Sequence, residues 1–209
     1  MSHAVHHPLF ARFYSRFAER EDERGNADNR KELLAGLSGR VVEVGAGIGS
    51  NFAHYPEAVT EVVAVEPEPY LRAKAQHAAT SAPVPVRVVD GLADELPLDA
   101  GSVDAGVASL VLCSVPDQSV ALGELHRVIK PGGELRFYEH VISNRESRRR
   151  FQRFMDKTIW PRMAGGCHMT RDTRGAIEQA GFIVQRSRRF PFPPGPMGLP
   201  HILGSARRP

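Results

Sequence analysis

The chain reads as a doubly wound α/β protein. The expected form is a mostly parallel, seven-stranded sheet over residues 29–209, preceded by a helical lid over residues 1–28, in one domain overall. Three observations predict it. A short apolar run, Val41 to Val44, ends in glycines at alternate positions, Gly45, Gly47 and Gly49, which marks a buried strand turning tightly into a helix. Further apolar runs alternate with helical patterns along the rest of the chain. Acids stand at or near the ends of the first three runs: Glu43, Glu66 and Asp90.

Length and composition agree. The 209 residues are 42% hydrophobic and 24% charged, ordinary for a globular domain with a real core. A net charge of +3 is too small to imply a nucleic-acid partner without a localised patch. Two cysteines, Cys113 and Cys167, do not make a disulfide scaffold and suit reduced thiols in a cytoplasm. No apolar run approaches the ~20 residues that span a bilayer, so no stable membrane insertion is expected.

Pro8 to Glu23 has helical spacing, with Leu9, Phe10, Phe13 and Phe17 on one stripe. That is the lid, and Tyr14 beside the stripe offers a hydroxyl to a ligand or to the core. Asn29 to Leu37 is a second helix. After the glycine turn a helix is expected from Ser50 to Tyr55, stopped by Pro56. The second strand, Glu61 to Val65, ends at Glu66-Pro67, about 20 residues past the first glycine, where an acid can grip a ribose diol. A helix from Glu68 to Ala79 and a strand from Val84 to Val89 follow, and the strand runs out into Asp90-Gly91-Leu92. The fourth strand, Val103 to Ser109, continues apolar through Val115 and forms the floor of a pocket.

Asp117 reads as the cap of a helix carrying Leu122, Leu125 and Ile129 inward, and Pro131-Gly132-Gly133 turns it into strand five, Glu134 to Ile142. Ser143 to Trp160 is a basic helix with an apolar stripe through Phe151, Phe154 and Met155, which would wall the pocket. Thr170 is expected to cap the next helix, which Gly181 stops. Phe182 to Arg188 is strand six, Phe190 to Pro200 a constrained proline-rich connection, and His201 to Ala206 the last strand.

The glycine turn also says what kind of ligand is held. Ser50 stands where a dinucleotide fingerprint has its third glycine, and Glu43 precedes the first. A carboxylate repels a pyrophosphate and attracts an ammonium or sulfonium. Glu43-x-Gly45-x-Gly47-x-Gly49, Glu66, Asp90 and Arg127-Val-Ile-Lys-Pro-Gly-Gly133 resemble the core of class I S-adenosylmethionine-dependent methyltransferases. Longer stretches resemble the mammalian methyltransferase-like alkyl thiol S-methyltransferases: Glu43 through Phe52, Leu110 through Val115, Tyr138-Glu-His-Val141, Gly166-Cys-His-Met-Thr-Arg-Asp-Thr173 and Pro200-His-Ile-Leu-Gly204.

The resemblance implies S-adenosylmethionine as cofactor, bound through Tyr14, Glu43, Gly45, Ala46, Gly47, Asn51, Glu66, Pro67, Asp90, Gly91, Leu92, Ser109 and Leu110. It implies methyl transfer to a small molecule, most naturally a thiol. The mammalian members carry an N-terminal membrane anchor that is not seen here, so a soluble relative is implied. A free thiol has a pKa of ~8.5, and His140, at the tip of strand five, is the first candidate base; His168 is the second. Cys113, Phe154 and Trp160 are expected to line the acceptor pocket, and no metal is assigned. Transfer to oxygen or nitrogen of a small metabolite or lipid is the alternative. A non-catalytic cofactor-binding module and a nicotinamide dehydrogenase rank below it. Oligomeric state and the acceptor's identity are not legible.

Overall fold

The computed structural model describes residues 11, 12, 15, 18, 20 and 25–209, apart from 159, 196, 197 and the side chain of 162. Most of the expected lid, with Tyr14, lies outside the described residues. Among those described, Ala11, Ser15 and Ala18 are helical and buried.

From residue 25 the order is α1 (Ala27–Leu34), β1 (Gly39–Val44), a 3₁₀ turn (Phe52–His54), β2 (Val59–Val65), α2 (Pro69–Ala79), β3 (Val86–Val89), β4 (Val103–Ser109), α3 (Gln118–Val128), β5 (Ile129–His140), α4 (Glu146–Lys157), α5 (Trp160–Met163), α6 (Thr173–Gln179), β6 (Ile183–Phe192) and β7 (Leu199–Arg207). One seven-stranded sheet has the order β3-β2-β1-β4-β5-β7-β6. All pairings are parallel until β7, which runs antiparallel to both β5 and β6.

Strand residues alternate between two cores, as the period of two requires. Val42, Val44, Ala108, Leu135 and Phe137 pack on one face with Leu122, Leu125 and Ile177. Val41, Val62, Ala64, Val107 and Tyr138 pack on the other with Leu33, Leu34 and Ala75. Burial on both faces explains why the central strands are valine-rich instead of alternating apolar and polar. Glu68 caps α2 by accepting from the Leu71 N–H at 2.8 Å, with Pro69 at the first helical position. Asp117 caps α3, accepting from Ser119 N–H at 2.7 Å.

Four expected elements differ. The helix after the glycines is a single 3₁₀ turn, because Pro56 follows too soon for more. The cap of α6 is Asp172, which accepts from Gly175; Thr170 instead bonds Asp156 through its N–H at 3.0 Å and its hydroxyl at 2.5 Å. The proline-rich stretch is mostly strand: β6 runs to Phe192 and β7 starts at Leu199, so proline is tolerated where β6 forms the sheet edge. Strand five starts early, since Ile129 already pairs with Val103 before the Pro131-Gly132 turn.

Candidate active site

Chain direction out of the sheet reverses between β1 and β4: the chain leaves β1 toward β2 and β3, then returns to build β4 and β5 on its other side. In open α/β sheets the crevice beyond the carboxyl ends at such a point is where ligands bind. Here it lies between the Gly45 turn and the Ser109-Leu110 tip. The two loops come close: a Cβ added to Gly45 would stand 2.3 Å from a Val111 methyl carbon. Leu110 takes φ 58°, a conformation that costs a leucine about 1 kcal/mol or more, and its N–H donates to the Tyr138 carbonyl at 2.6 Å.

Most amides of the glycine turn are engaged by the protein itself. Gly45 and Ala46 N–H both donate to the Val65 carbonyl, Gly49 N–H to Ala46, and Gly47 N–H to Glu66 Oε2 at 2.8 Å. Three of these amides are taken by the end of β2 and one within the turn, so they are not turned toward an anion. The turn's polar character comes from acids instead.

Glu43 is buried, accepting from Asn51 Nδ2 at 2.8 Å and from the Tyr55 hydroxyl at 2.6 Å. Burial pushes its pKa up to about 7, against the pull of Tyr55, Asn51 and the Arg30 charge. Asn51 in turn accepts from Arg30 Nη1 at 2.9 Å, and that nitrogen reaches Ser109 Oγ at 3.3 Å. One network thus links α1, the glycine turn and the tip of β4. Glu66 accepts from both Gly47 and Glu68 N–H, and burial raises it to about 7 as well. Two buried carboxylates held by mostly neutral donors suit a ligand that brings an ammonium, a sulfonium and a diol. The donor set therefore fits the amino-acid and ribose portions of S-adenosylmethionine. Asp90 is different: its carboxylate is 62% exposed and paired with Arg72 Nη1 at 3.0 Å, so it is a rim group. Pro67 lends its carbonyl to the same Arg72.

On the acceptor side, Glu139 is fully buried. Its Oε1 accepts from Val111 and Leu112 N–H, and its Oε2 from Cys113 N–H, at 2.9–3.1 Å. Burial lifts its pKa to about 7 although those three amides favour the carboxylate. Arg171 reaches the carbonyls of Leu112 and Val115. His140 Nδ1 lies 3.6 Å from Cys113 Sγ and 3.6 Å from Cys167 Sγ. Cys167 is brought there from the loop after α5, where His168 N–H donates to the Cys113 carbonyl at 2.8 Å.

Cys113 is held well above the usual thiol range by Cys167 and by burial, and Cys167 well below it by its bond with Cys113. His168 is less central, 41% exposed with Nδ1 3.8 Å from Asp156. Trp160 is half-buried near Cys167. Phe154 is 64% exposed and Phe151 63%. The stripe expected on α4 therefore turns outward, and its buried anchor is Gln152, which bonds Ser143 N–H and the carbonyls of Val141 and Met169. A separate cavity of about 330 Å³, lined by Leu37, Asp104, Lys130 and Gly133, opens at the opposite rim, away from every acid named above.

Sequence reasoning missed Arg30, Tyr55, Cys167 and Arg171. Arg30 was detectable as the one cation on the Leu33, Leu34 and Leu37 stripe. The others are joined to the site by folding alone.

Sheet order, switch point and buried acids together define a class I S-adenosylmethionine-dependent methyltransferase. Comparison agrees. A methyltransferase domain family matches residues 42–137. The mouse protein named thiol S-methyltransferase TMT1B is 34% identical over 210 residues, covering 95% of this chain and 82% of its own. Human thiol S-methyltransferase TMT1A is 32% identical over 197 residues, covering 86% and 78%. A solved S-adenosylmethionine-dependent methyltransferase of Thermotoga maritima superposes with a TM-score of 0.69 at 20% identity, covering 96% and 99%, and shows the shared fold. The chain belongs to the methyltransferase family that contains TMT1A and TMT1B. Among the described residues, no helix is long and apolar enough to cross a membrane.

Proposed function

We propose that this methyltransferase acts on a small-molecule thiol. The observation that carries the reading is the extent of the match to the protein named thiol S-methyltransferase TMT1B, which takes in 95% of the chain. When bound, S-adenosylmethionine supplies an electrophilic methyl group on a sulfonium. The chain's own residues position and exclude. Glu43, carried by Asn51 and Tyr55, would take the ammonium of the amino-acid end, and Arg30 stands one bond away to face its carboxylate. Glu66 would take the ribose hydroxyls, with Gly45, Ala46 and Gly47 allowing close approach. Gly91 and Leu92 would border the adenine and Asp90 its outer edge, while Ser109 and Leu110 would floor the donor. The acceptor sulfur would enter beside Cys113, His140 and Cys167, with Trp160 as an apolar wall. The protein's contribution is approach geometry.

The test is transfer of labelled methyl from S-adenosylmethionine to a panel of alkyl thiols, phenols, amines and lipids. Label in the thiols is the expected result. Label in an oxygen or nitrogen acceptor with none in any thiol overturns the reading.

A further inference from the structure

Cys113, His140 and Cys167 come from three separate segments and are brought together with their ligand atoms within 4.8 Å of one another. We propose that they form a zinc site with three protein ligands and an open fourth position. The link from that position to the acceptor rests on the thiol reading above; the site itself does not.

Geometry carries it. Zinc bonds thiolate sulfur at ~2.3 Å and imidazole nitrogen at ~2.0–2.1 Å, so a tetrahedral centre holds sulfur and nitrogen about 3.6 Å apart. Both sulfur-to-Nδ1 separations here are 3.6 Å. One imidazole nitrogen facing two sulfurs at equal distance suits three ligands around a common centre. Donor chemistry agrees: two sulfurs and one imidazole select a thiophilic divalent ion over a hard one. Two cysteinates neutralise Zn²⁺, so the loaded centre adds no net charge to a buried place.

The supports are built in. Glu139 fixes the Cys113 segment through three amides. His168 N–H ties the Cys167 segment to the Cys113 carbonyl. Asp156 holds the chain just beyond through Met169 and Thr170 N–H. Such outer contacts fix ligand orientation before a metal arrives.

The position matches the chemistry. Ser109, at the switch point, pairs with Tyr138, and His140 ends the same strand two residues on, about 7 Å along it. Cys113 follows Leu110 by three residues. A fourth ligand on the metal would therefore face the donor crevice. An acceptor thiol binding there releases its proton to solvent and is presented as thiolate at neutral pH. Its sulfur forms the new bond to the methyl carbon. The sulfonium carbon–sulfur bond breaks and its electron pair stays on the departing sulfur, and the neutral thioether product, a weaker ligand, yields its place to water. The metal is neither oxidised nor reduced. On this view His140 is a ligand and not a free base.

The test uses the full chain, purified under reducing conditions, supplied with zinc alone and dialysed. About one zinc per chain is expected by elemental analysis. Co²⁺ loading should give thiolate charge-transfer and tetrahedral ligand-field absorption. C113S, C167S and H140A should each weaken metal retention at least tenfold, whereas H77A should retain it. Calorimetric binding of S-adenosylmethionine verifies that each variant is folded. No metal in the parent chain, or equal retention in all variants, overturns the site. A site occupied as expected, whose cobalt spectrum shifts with an alkyl thiol and not with a phenol, supports the acceptor link. Metal bound without that shift removes the link and leaves the site. Thiols methylated equally well by a chain stripped of its metal remove the link and leave the proposed activity.

Discussion

The backbone N–H of Gly47 donates to Oε2 of Glu66 at 2.8 Å, tying the turn after β1 to the tip of β2 before any ligand arrives. The same carboxylate accepts from Glu68 N–H at 2.9 Å. Both contacts hold the acid where a ribose is expected. Gly47 itself takes φ 58°, which a β-branched side chain adopts only under strain. We predict that Gly47→Val lowers affinity for S-adenosylmethionine at least a hundredfold. Calorimetric affinity near the parent value would show that the turn does not hold the cofactor.

Arg30 should matter to cofactor binding although it lies in α1, outside the sheet. Replacing it with methionine leaves Asn51 Oδ1 and Ser109 Oγ without their donor. The expected cost is about 1–3 kcal/mol in stability and roughly tenfold in cofactor affinity. Lysine should rescue only part of this, because it cannot reproduce the planar fork. Thermal melts and calorimetry together measure both effects.

The buried acids give the cofactor-free protein a definite pH dependence. Glu43 and Glu66 titrate near 7 when folded, against 4.5 ordinarily. Between those values the native state holds more protons than the unfolded one, so stability falls as pH rises, by up to ~1.4 kcal/mol per unit for each group. Tyr55, Asn51 and Arg30 face Glu43, and Glu68 and Arg72 face Glu66; none removes the burial cost. The melting temperature should therefore drop between about pH 5 and pH 8. Glu66→Gln should flatten the slope. Cofactor affinity should move the opposite way, rising with pH as the carboxylates ionise. A melting temperature constant across that range would contradict the assignment.

Glu139→Gln should damage the acceptor side selectively. An amide has one acceptor oxygen, and Glu139 uses both of its oxygens on three N–H groups. The new NH₂ would then confront a donor with a donor. Loss of about 2 kcal/mol and a tenfold or greater fall in turnover are expected, with cofactor affinity within twofold of the parent.

His140→Ala should slow methyl transfer to thiols at least tenfold while leaving S-adenosylmethionine affinity nearly intact. Its ring meets Cys113, Cys167 and the ring of His201, whose centroid is 4.3 Å away. Steady-state kinetics with a good thiol acceptor check this; unchanged turnover would remove His140 from the reaction.

What the sequence made legible was whatever depends on local pattern. The Val41–Val44 run, the glycines and the acids at Glu43 and Glu66 are near neighbours of the elements they serve, and each is where the pattern put it. Partners brought together by folding were not legible. Cys113, His140 and Cys167 are 27 residues apart in each step, so no spacing rule links them. Glu139 satisfies amides that lie in a different loop. One helix face was misjudged: the α4 stripe was expected to wall the pocket, but Gln152 makes the attachment and Phe151 and Phe154 are left outside.

Every backbone N–H from Leu110 to Val115 is already spoken for: one by Tyr138, three by Glu139 and two by Val111. The carbonyls of Leu112, Cys113 and Val115 are likewise taken by Arg171 and His168. A guest reaching that stretch therefore meets no uncommitted N–H donor on its main chain. With those donors engaged, choice among guests falls more to greasy volume and to the polarisability of the reacting atom, which predicts breadth toward lipophilic compounds.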